Sequence, residues 1–240
     1  CLGKSNAIKA MATGTMCATC FVGCGAGLTG LPGFEPDADQ NLVAGTTAGA
    51  NLDGTNACFN VLLGACAGQV ITSGADNVAI GKCALGTGTV TGSKNFAGGY
   101  LAGRNITSGQ SNVLIGRQAG MNMTTGTFNV AIGSYTGGGC TFEGRYNTHI
   151  GLYAGSWNTT GCKNVAIGNG AGQYITTGHC NVSIGDYAGA APSGGGSGHT
   201  GSFNISLGVG AGYNPSGSQN IAIGCNAMGT GGVTGQQNIA

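Results

Sequence analysis

Three-residue apolar bursts recur along the chain, and each one follows an asparagine and precedes a glycine. The stretch 164–168 is Asn-Val-Ala-Ile-Gly, and the same pattern starts again at Asn181. Counting that asparagine as the first position, the second and fourth positions are mostly large and apolar. This alternation predicts a short β-strand whose second and fourth side chains fill a core. The third position, as in Ala166, is mostly small and apolar. Since both sides of the strand are then apolar, we expect the third-position face to be covered as well.

The bursts belong to a repeat whose usual period is 17 or 18 residues. In the eleven complete units the fifth position is always Gly, and the eighth is Ala in ten of them. A Gly also stands three residues before the next first position in ten of the eleven. The first positions are Asn41, Asn60, Asn77, Asn95, Asn112, Asn129, Asn147, Asn164, Asn181, Asn204, Asn220 and Asn238.

These features predict an all-β parallel β-solenoid, in which each unit forms one coil. A helix is disfavoured because a glycine in a helix interior costs about 1 kcal/mol. No single unit can bury its apolar face alone, so the core forms when neighbouring coils stack about 4.8 Å apart. We expect 12–14 coils, a solenoid on the order of 60 Å long, and a ladder of stacked asparagine side chains that hydrogen-bond from coil to coil. The periodicity suits either handedness.

The repeat covers the whole chain, so we predict one domain, 1–240. Residues 1–40 contain degenerate coils and a loop at 28–40, and residues 41–240 hold the regular repeats with a second loop at 190–203. The chain begins at Cys1 without a methionine and stops inside a repeat. We therefore expect it to be a fragment of a longer protein.

Composition excludes several classes of protein. Eight Lys and Arg against seven Asp and Glu leave a net charge of +1, with no basic stripe for nucleic acid. The apolar residues come in short bursts, so no membrane insertion is expected. Histidines and acids share no repeat position, and no nucleophile or phosphate-loop motif occurs. We expect neither enzymatic activity nor a metal or cofactor.

Two cysteines share the seventh position of successive units, Cys66 and Cys83. Their Cα atoms should lie about 4.8 Å apart, which is within the range for a disulfide. The alternative is that each cysteine is a small buried apolar residue.

Two further columns could form binding surfaces. Paired Thr residues precede the repeat glycine, as in Thr159 and Thr160, but adjacent residues on a strand point in opposite directions. A plain hydrogen-bonded Thr ladder is therefore favoured over an ice-binding face. Tyr135, Tyr153 and Tyr187 share the seventh position, where they could contact sugars or a partner, or else pack between chains or under a turn.

The strand and its flanking residues resemble two groups of repeats. Residues 77–81 and 129–133, both Asn-Val-Ala-Ile-Gly, are similar to the head repeats of trimeric autotransporter adhesins. The period and the Asn-Thr-Thr-Gly end at 158–161 are similar to repeats of phage tail-fibre-like and bacterial surface proteins. The resemblance covers 41–240 and, more weakly, 6–40. It implies a left-handed β-roll or solenoid that assembles as an extracellular homotrimer and serves as a stalk or adhesive head.

The sequence thus favours a non-enzymatic structural fibre or adhesin segment, on the outside of a cell or virion, that associates with itself as a homotrimer or filament. A host surface or glycan is a further partner to consider. The alternative is a monomeric ice- or glycan-binding solenoid that uses its Thr or Tyr face. The residues predicted to carry the repeat are Asn77, Asn112, Asn129, Asn164, Asn181, Gly81, Gly116, Gly133, Gly168 and Gly185, with Cys66 and Cys83 as a candidate disulfide.

Overall fold

A computed structural model describes residues 36–191, 200–213, 217–229 and 235–240. The chain divides into two compact units, 1–32 and 33–240, and all described residues belong to the second. The degenerate coils and most of the loop predicted within 1–40 therefore lie outside the described residues, as does most of the loop at 190–203. The single domain over 1–240 stays a prediction.

The described part of the chain contains strands and turns and no helix. Eleven three-residue strands form one parallel sheet in the order of the sequence, β1 to β11. The strands are Leu42–Ala44 (β1), Val61–Leu63 (β2), Val78–Ile80 (β3), Phe96–Gly98 (β4), Val113–Ile115 (β5), Val130–Ile132 (β6), Thr148–Ile150 (β7), Val165–Ile167 (β8), Val182–Ile184 (β9), Ile205–Leu207 (β10) and Ile221–Ile223 (β11). The predicted parallel β-solenoid is confirmed, and the ten spacings between these strands give a length of about 48 Å.

The sheet register follows the sequence repeat without a slip. Val61 pairs with Val78, and Val165 pairs with Val182, so equivalent positions face each other. The 23-residue step between Asn181 and Asn204 leaves β9 and β10 paired in the same way. Insertions are therefore accommodated in turns. Leu85, the added residue of one 18-residue unit, is fully buried at a turn where its φ is +49°.

The prediction of which strand face fills the core was wrong. From β2 to β11 the third-position side chain is buried, whereas no second- or fourth-position side chain of any strand is. Ala79 and Ala131 have no exposed surface, while Ile80 is 42% exposed. The interior is too narrow for two large side chains per strand, because turns from the same coil approach it closely. A Cβ on Gly120, for example, would lie 2.7 Å from Cδ2 of Leu114. The small third position therefore points inward and the large ones point outward.

The core is built from one side chain of the strand and two of the turns in each coil. In one coil these are Leu114, Ala119 and Met123, and all three are fully buried. The eighth-position alanines lie opposite the strand, where their small size lets the chain bend tightly. Four of these alanines, together with third-position alanines and larger side chains, form one continuous cluster from 57 to 142.

The predicted asparagine ladder is confirmed and unbroken from Asn41 to Asn238. In each coil the side-chain oxygen accepts a hydrogen bond from the backbone N–H of the next asparagine, as in Asn147 N to Asn129 Oδ1 at 2.9 Å. The side-chain amide donates to the carbonyl of the glycine near the end of its own coil, as in Asn129 Nδ2 to Gly144 O at 2.8 Å. At the first coil Asp37 takes the place of a preceding asparagine, because its Oδ1 accepts from both N and Nδ2 of Asn41.

The fifth-position glycines allow the coils to approach each other. Gly116 has a φ of +127°, which side-chain-bearing residues rarely adopt, and a Cβ there would lie 2.5 Å from the carbonyl oxygen of Gly133. The same contact recurs up the stack, which explains why every complete unit has glycine at this position.

Two columns of residues other than glycine adopt the left-handed region at the corners of the coils. One column is the last residue before each asparagine, such as Phe128 with φ of +57°. The other, here called the corner column, is the seventh position, which includes Cys66 and Tyr135. Left-handed backbone costs about 1–2 kcal/mol for such residues. From Cys66 to Asn226 each corner-column N–H nevertheless donates to a carbonyl of the preceding coil, as in Tyr135 N to Arg117 O at 2.9 Å, so the ladder of backbone hydrogen bonds holds this conformation.

Candidate functional site

The asparagines and glycines predicted to carry the repeat are all part of the interior scaffold. Asn77, Asn112, Asn129, Asn164 and Asn181 are at most 3% exposed. Gly81, Gly116, Gly133, Gly168 and Gly185 all have φ between +126° and +133° and lie against the next coil's glycine. These residues hold successive coils together, and none of the asparagines presents its side chain to a ligand.

The thiols of Cys66 and Cys83 lie next to each other in the corner column. Both are free cysteines in this structure, and both are partly exposed. Burial and the neighbouring Cys66 thiol, which is within hydrogen-bonding reach, raise the pKa of Cys83. The structure thus brings the pair together as the sequence predicted, and the disulfide itself stays a prediction.

The outer side of the sheet is apolar along its whole described length. We call the second- and fourth-position side chains of β1–β11 the outer sheet face. Of its 22 positions, Thr148 is the one polar residue and none is charged. Ile115, Ile184 and Ile223 are 39%, 41% and 59% exposed. Two side chains across and ten strand spacings along give an area on the order of 500 Å². The largest apolar patch on a typical monomer is about 300–600 Å² and is often functional, so this face is a candidate interaction surface.

The borders of the outer sheet face mix charged and aromatic residues. The position just after each fifth-position glycine includes Lys82 and Arg117, and the position before each asparagine includes Lys94 and Lys163. The aromatic members of these borders are also exposed: Phe59, Tyr100, Phe128, Tyr146 and Phe203. An apolar centre with a mixed, partly charged rim is the usual anatomy of a protein–protein interface.

Aromatic residues cluster in the corner column. The rings of Tyr135 and Tyr153 stack with centroids 5.1 Å apart, and the guanidinium of Arg117 lies 5.3 Å from the Tyr135 ring. Tyr153 and Tyr187 are 41% and 44% exposed. Within one chain these rings therefore form a surface row and are not packed under a turn.

The column is interrupted twice by glycine, at Gly170 and Gly210. Tyr187 leans over Gly170, since a Cβ on that glycine would lie 2.7 Å from Cδ1 of Tyr187. Around Gly210 a pocket of about 360 Å³ opens, with Tyr187, Tyr213 and Asn226 among its walls. The sequence did not predict this pocket, although the glycines that replace a side chain in an otherwise substituted column are its signal.

The Thr column behaves as a hydrogen-bonded ladder with one outward row. The hydroxyl of Thr159 donates to the carbonyl of Thr176 in the next coil at 3.0 Å, and that of Thr107 donates to Thr124 O at 3.1 Å. The second residue of each pair, such as Thr160, is exposed. One row per coil faces water, so the two-row surface that an ice-binding face requires is not formed by these pairs.

One ionisable side chain lies inside the solenoid. His149 takes the inward third position of β7, where it is 2% exposed and its ring centroid lies 5.8 Å from that of Phe142. Burial lowers the pKa of His149 to about 4, because the protonated ring would lose its hydration there. The neutral ring is accordingly a core residue.

No family model, no curated protein and no solved structure matches this chain. Within the described ranges, no helix is long and apolar enough to cross a membrane.

Proposed function

We propose that this chain is a non-enzymatic structural segment of an extracellular fibre or adhesin, whose solenoids associate through the outer sheet face into a homotrimer or filament. The observation that carries the proposal is the uncharged face along β1–β11, made mostly of Val, Ile and Leu side chains that are half-buried or exposed. Burial of apolar surface contributes about 25 cal/mol per Å². Covering this face therefore provides a driving force for assembly that a lone solenoid leaves unused.

A second copy of the chain fits this face better than an unrelated partner. The coil spacing places the side-chain ridges at a constant interval, so the same face on another copy presents ridges with a matching interval. The face carries no charge, so two copies do not repel each other there. Homo-oligomers with closed symmetry are the commonest assemblies of soluble proteins, and the trimer is the form that the sequence resemblance implies.

The reason for self-association differs from the one that the sequence suggested. The sequence placed the covered surface at the small third position, but that position is the chain's own core. The outer sheet face consists instead of the larger side chains, which bury more area per residue. The proposal therefore rests on Ile115 and its equivalents, not on Ala166 and its equivalents.

Multi-angle light scattering on purified protein tests the assembly. We expect a mass of at least three times the 23.2 kDa of one chain. The double variant Ile115→Lys, Ile184→Lys should give a lower mass with an unchanged circular dichroism spectrum, because both side chains point outward. The matched control is Thr125→Lys, Thr160→Lys, which adds the same charge at exposed positions away from the sheet. A wild-type mass of one chain, or equal effects of the two double variants, would contradict the proposed interface.

A further inference from the structure

The pocket at Gly210 exists because one side chain is missing from a stacked column. In the corner column each side chain normally has the side chain of the next coil beside it, as Tyr135 has Tyr153. Tyr187 is followed by Gly210, which has none. Tyr187 itself leans back over Gly170 in the preceding coil. Tyr187 thus lacks a side chain from Gly210 beside it, and Asn226 Oδ1 of the following coil lies where a Cβ on Gly210 would be.

The pocket spans three successive coils and combines this ring with polar groups. Asp186 and Tyr187 come from one coil, Gly210 and Tyr213 from the next, and Asn226 from the third. One carboxylate oxygen of Asp186 accepts a hydrogen bond from Asn169 Nδ2 at 2.9 Å, and its second oxygen has no hydrogen-bond partner among the residues that the structure describes. Within the described ranges the side-chain amide of Asn226 makes no hydrogen bond.

We propose that this pocket binds a neutral pyranose, the terminal unit of a saccharide. The apolar C–H face of a pyranose packs on an aromatic ring, here Tyr187. Its hydroxyl groups need both donors and acceptors, which the Asn226 amide, the Asp186 carboxylate and the Tyr213 hydroxyl supply. The volume of about 360 Å³ is at the lower end of the range for small-ligand pockets, which suits a single sugar ring.

The charge of the lining sets the expected selectivity. Asp186 is the one charged residue among those that line the pocket in the described part of the chain. A carboxylate at the rim repels uronic and sialic acids and tolerates neutral sugars. The site uses none of the second- and fourth-position side chains, but Asp186 and Val209 belong to the border column of the outer sheet face, so the pocket adjoins the proposed interface.

Saturation-transfer-difference NMR with methyl glycosides of glucose, galactose, mannose, N-acetylglucosamine and glucuronic acid tests the proposal. We expect transfer to at least one neutral glycoside and weaker transfer to the glucuronide. Tyr187→Ala should weaken binding of the best probe about tenfold. Gly210→Gln should abolish it by filling the pocket. The backbone accepts a glutamine, because Gln118 occupies the same column with φ of +59°, but the side chain of Asn226, which lies over Gly210, has to move aside.

Tyr153→Ala is the matched control, because it removes a tyrosine of the same column that does not line the pocket. Its affinity should equal that of the wild type, and all three variants should keep the wild-type circular dichroism spectrum. The proposal is overturned if no neutral glycoside shows transfer, if Gly210→Gln still binds, or if Tyr153→Ala loses as much affinity as Tyr187→Ala.

Discussion

Replacing one rung of the asparagine ladder, in the variant Asn129→Ala, should destabilise the solenoid strongly. Asn129 lies in the middle of the ladder and is 1% exposed. Its side chain makes four hydrogen bonds. The amide donates to Asn112 Oδ1 and Gly144 O, and the oxygen accepts from N and Nδ2 of Asn147. Alanine removes all four and offers no replacement.

The size of the effect follows from the groups that are left without partners. Asn112 Oδ1 keeps the backbone N–H of residue 129, and Asn147 Nδ2 keeps the carbonyl of Gly161. The backbone N–H of Asn147 and the carbonyl of Gly144 have no other partner among the described residues. A buried polar group without a hydrogen bond costs about 1–3 kcal/mol. Two such groups predict a loss of about 2–6 kcal/mol.

Urea unfolding followed by circular dichroism measures this loss. Because repeat proteins can unfold in parts, hydrogen exchange read by mass spectrometry should accompany it. We expect faster exchange in the coils that begin at residues 112, 129 and 147 than in distant coils. The control is Asn51→Ala, since Asn51 is exposed and makes no hydrogen bond to any residue in the described ranges. If Asn129→Ala shifts the free energy of unfolding no more than Asn51→Ala does, the ladder does not stabilise the coils as argued.

Two further predictions follow from buried and paired side chains. The pKa of His149 is about 4 in the fold and 6.5 in the unfolded chain, so the unfolded chain binds the proton first as the pH falls. The free energy of unfolding is therefore at its full value above pH 6.5 and decreases by about 3 kcal/mol as the pH drops to 4. In thermal unfolding across that pH range, the midpoint temperature should decrease in the wild type and in the control His179→Ala but not in His149→Leu. An equal decrease in His149→Leu would contradict the assignment to His149. Cys66 and Cys83 should form a disulfide in glutathione redox buffer, seen as a loss of 2 Da that Cys83→Ser prevents, and this link should raise the free energy of unfolding by about 3 kcal/mol. A pair that stays reduced under those conditions would show that the corner backbone does not allow the bond.

The sequence was sufficient to predict the repeat, the register and the ladder. The repeat period predicts the strand pairing because each fifth-position glycine must contact the fifth-position glycine of the next coil. Residues one period apart in the sequence are therefore neighbours in the sheet. The wrong assignment of the strand faces has an equally simple cause. Alternation separates two faces of a strand but does not identify the inner one when both are apolar. Side-chain size was a partial signal, since the inward position is small in most coils, as at Ala79 and Ala131, although Leu62 and Leu114 also point inward.

The corner column was harder to predict because left-handed backbone is usually recognised by glycine. Here Cys66, Gln118 and Tyr187 adopt it, and their hydrogen bonds to the preceding coil compensate for the strain. The pocket at Gly210 depends on that column and on the tilt of Tyr187 over Gly170. Neither feature can be derived from the repeat pattern until the seventh positions are known to lie at an exposed corner.

The asparagine ladder also gives the solenoid a direction. Each asparagine side-chain oxygen accepts hydrogen bonds from the coil that follows, and each asparagine donates to the coil before it. One end of a stack therefore presents donors and the other end presents acceptors. Asp37 occupies the acceptor position ahead of Asn41 and uses up its donors. Because Asp37 already holds the donors of Asn41, the ladder is closed to a further coil at that end. Growth of an assembly by stacking on this end is therefore not expected, which leaves the lateral contact along the sheet.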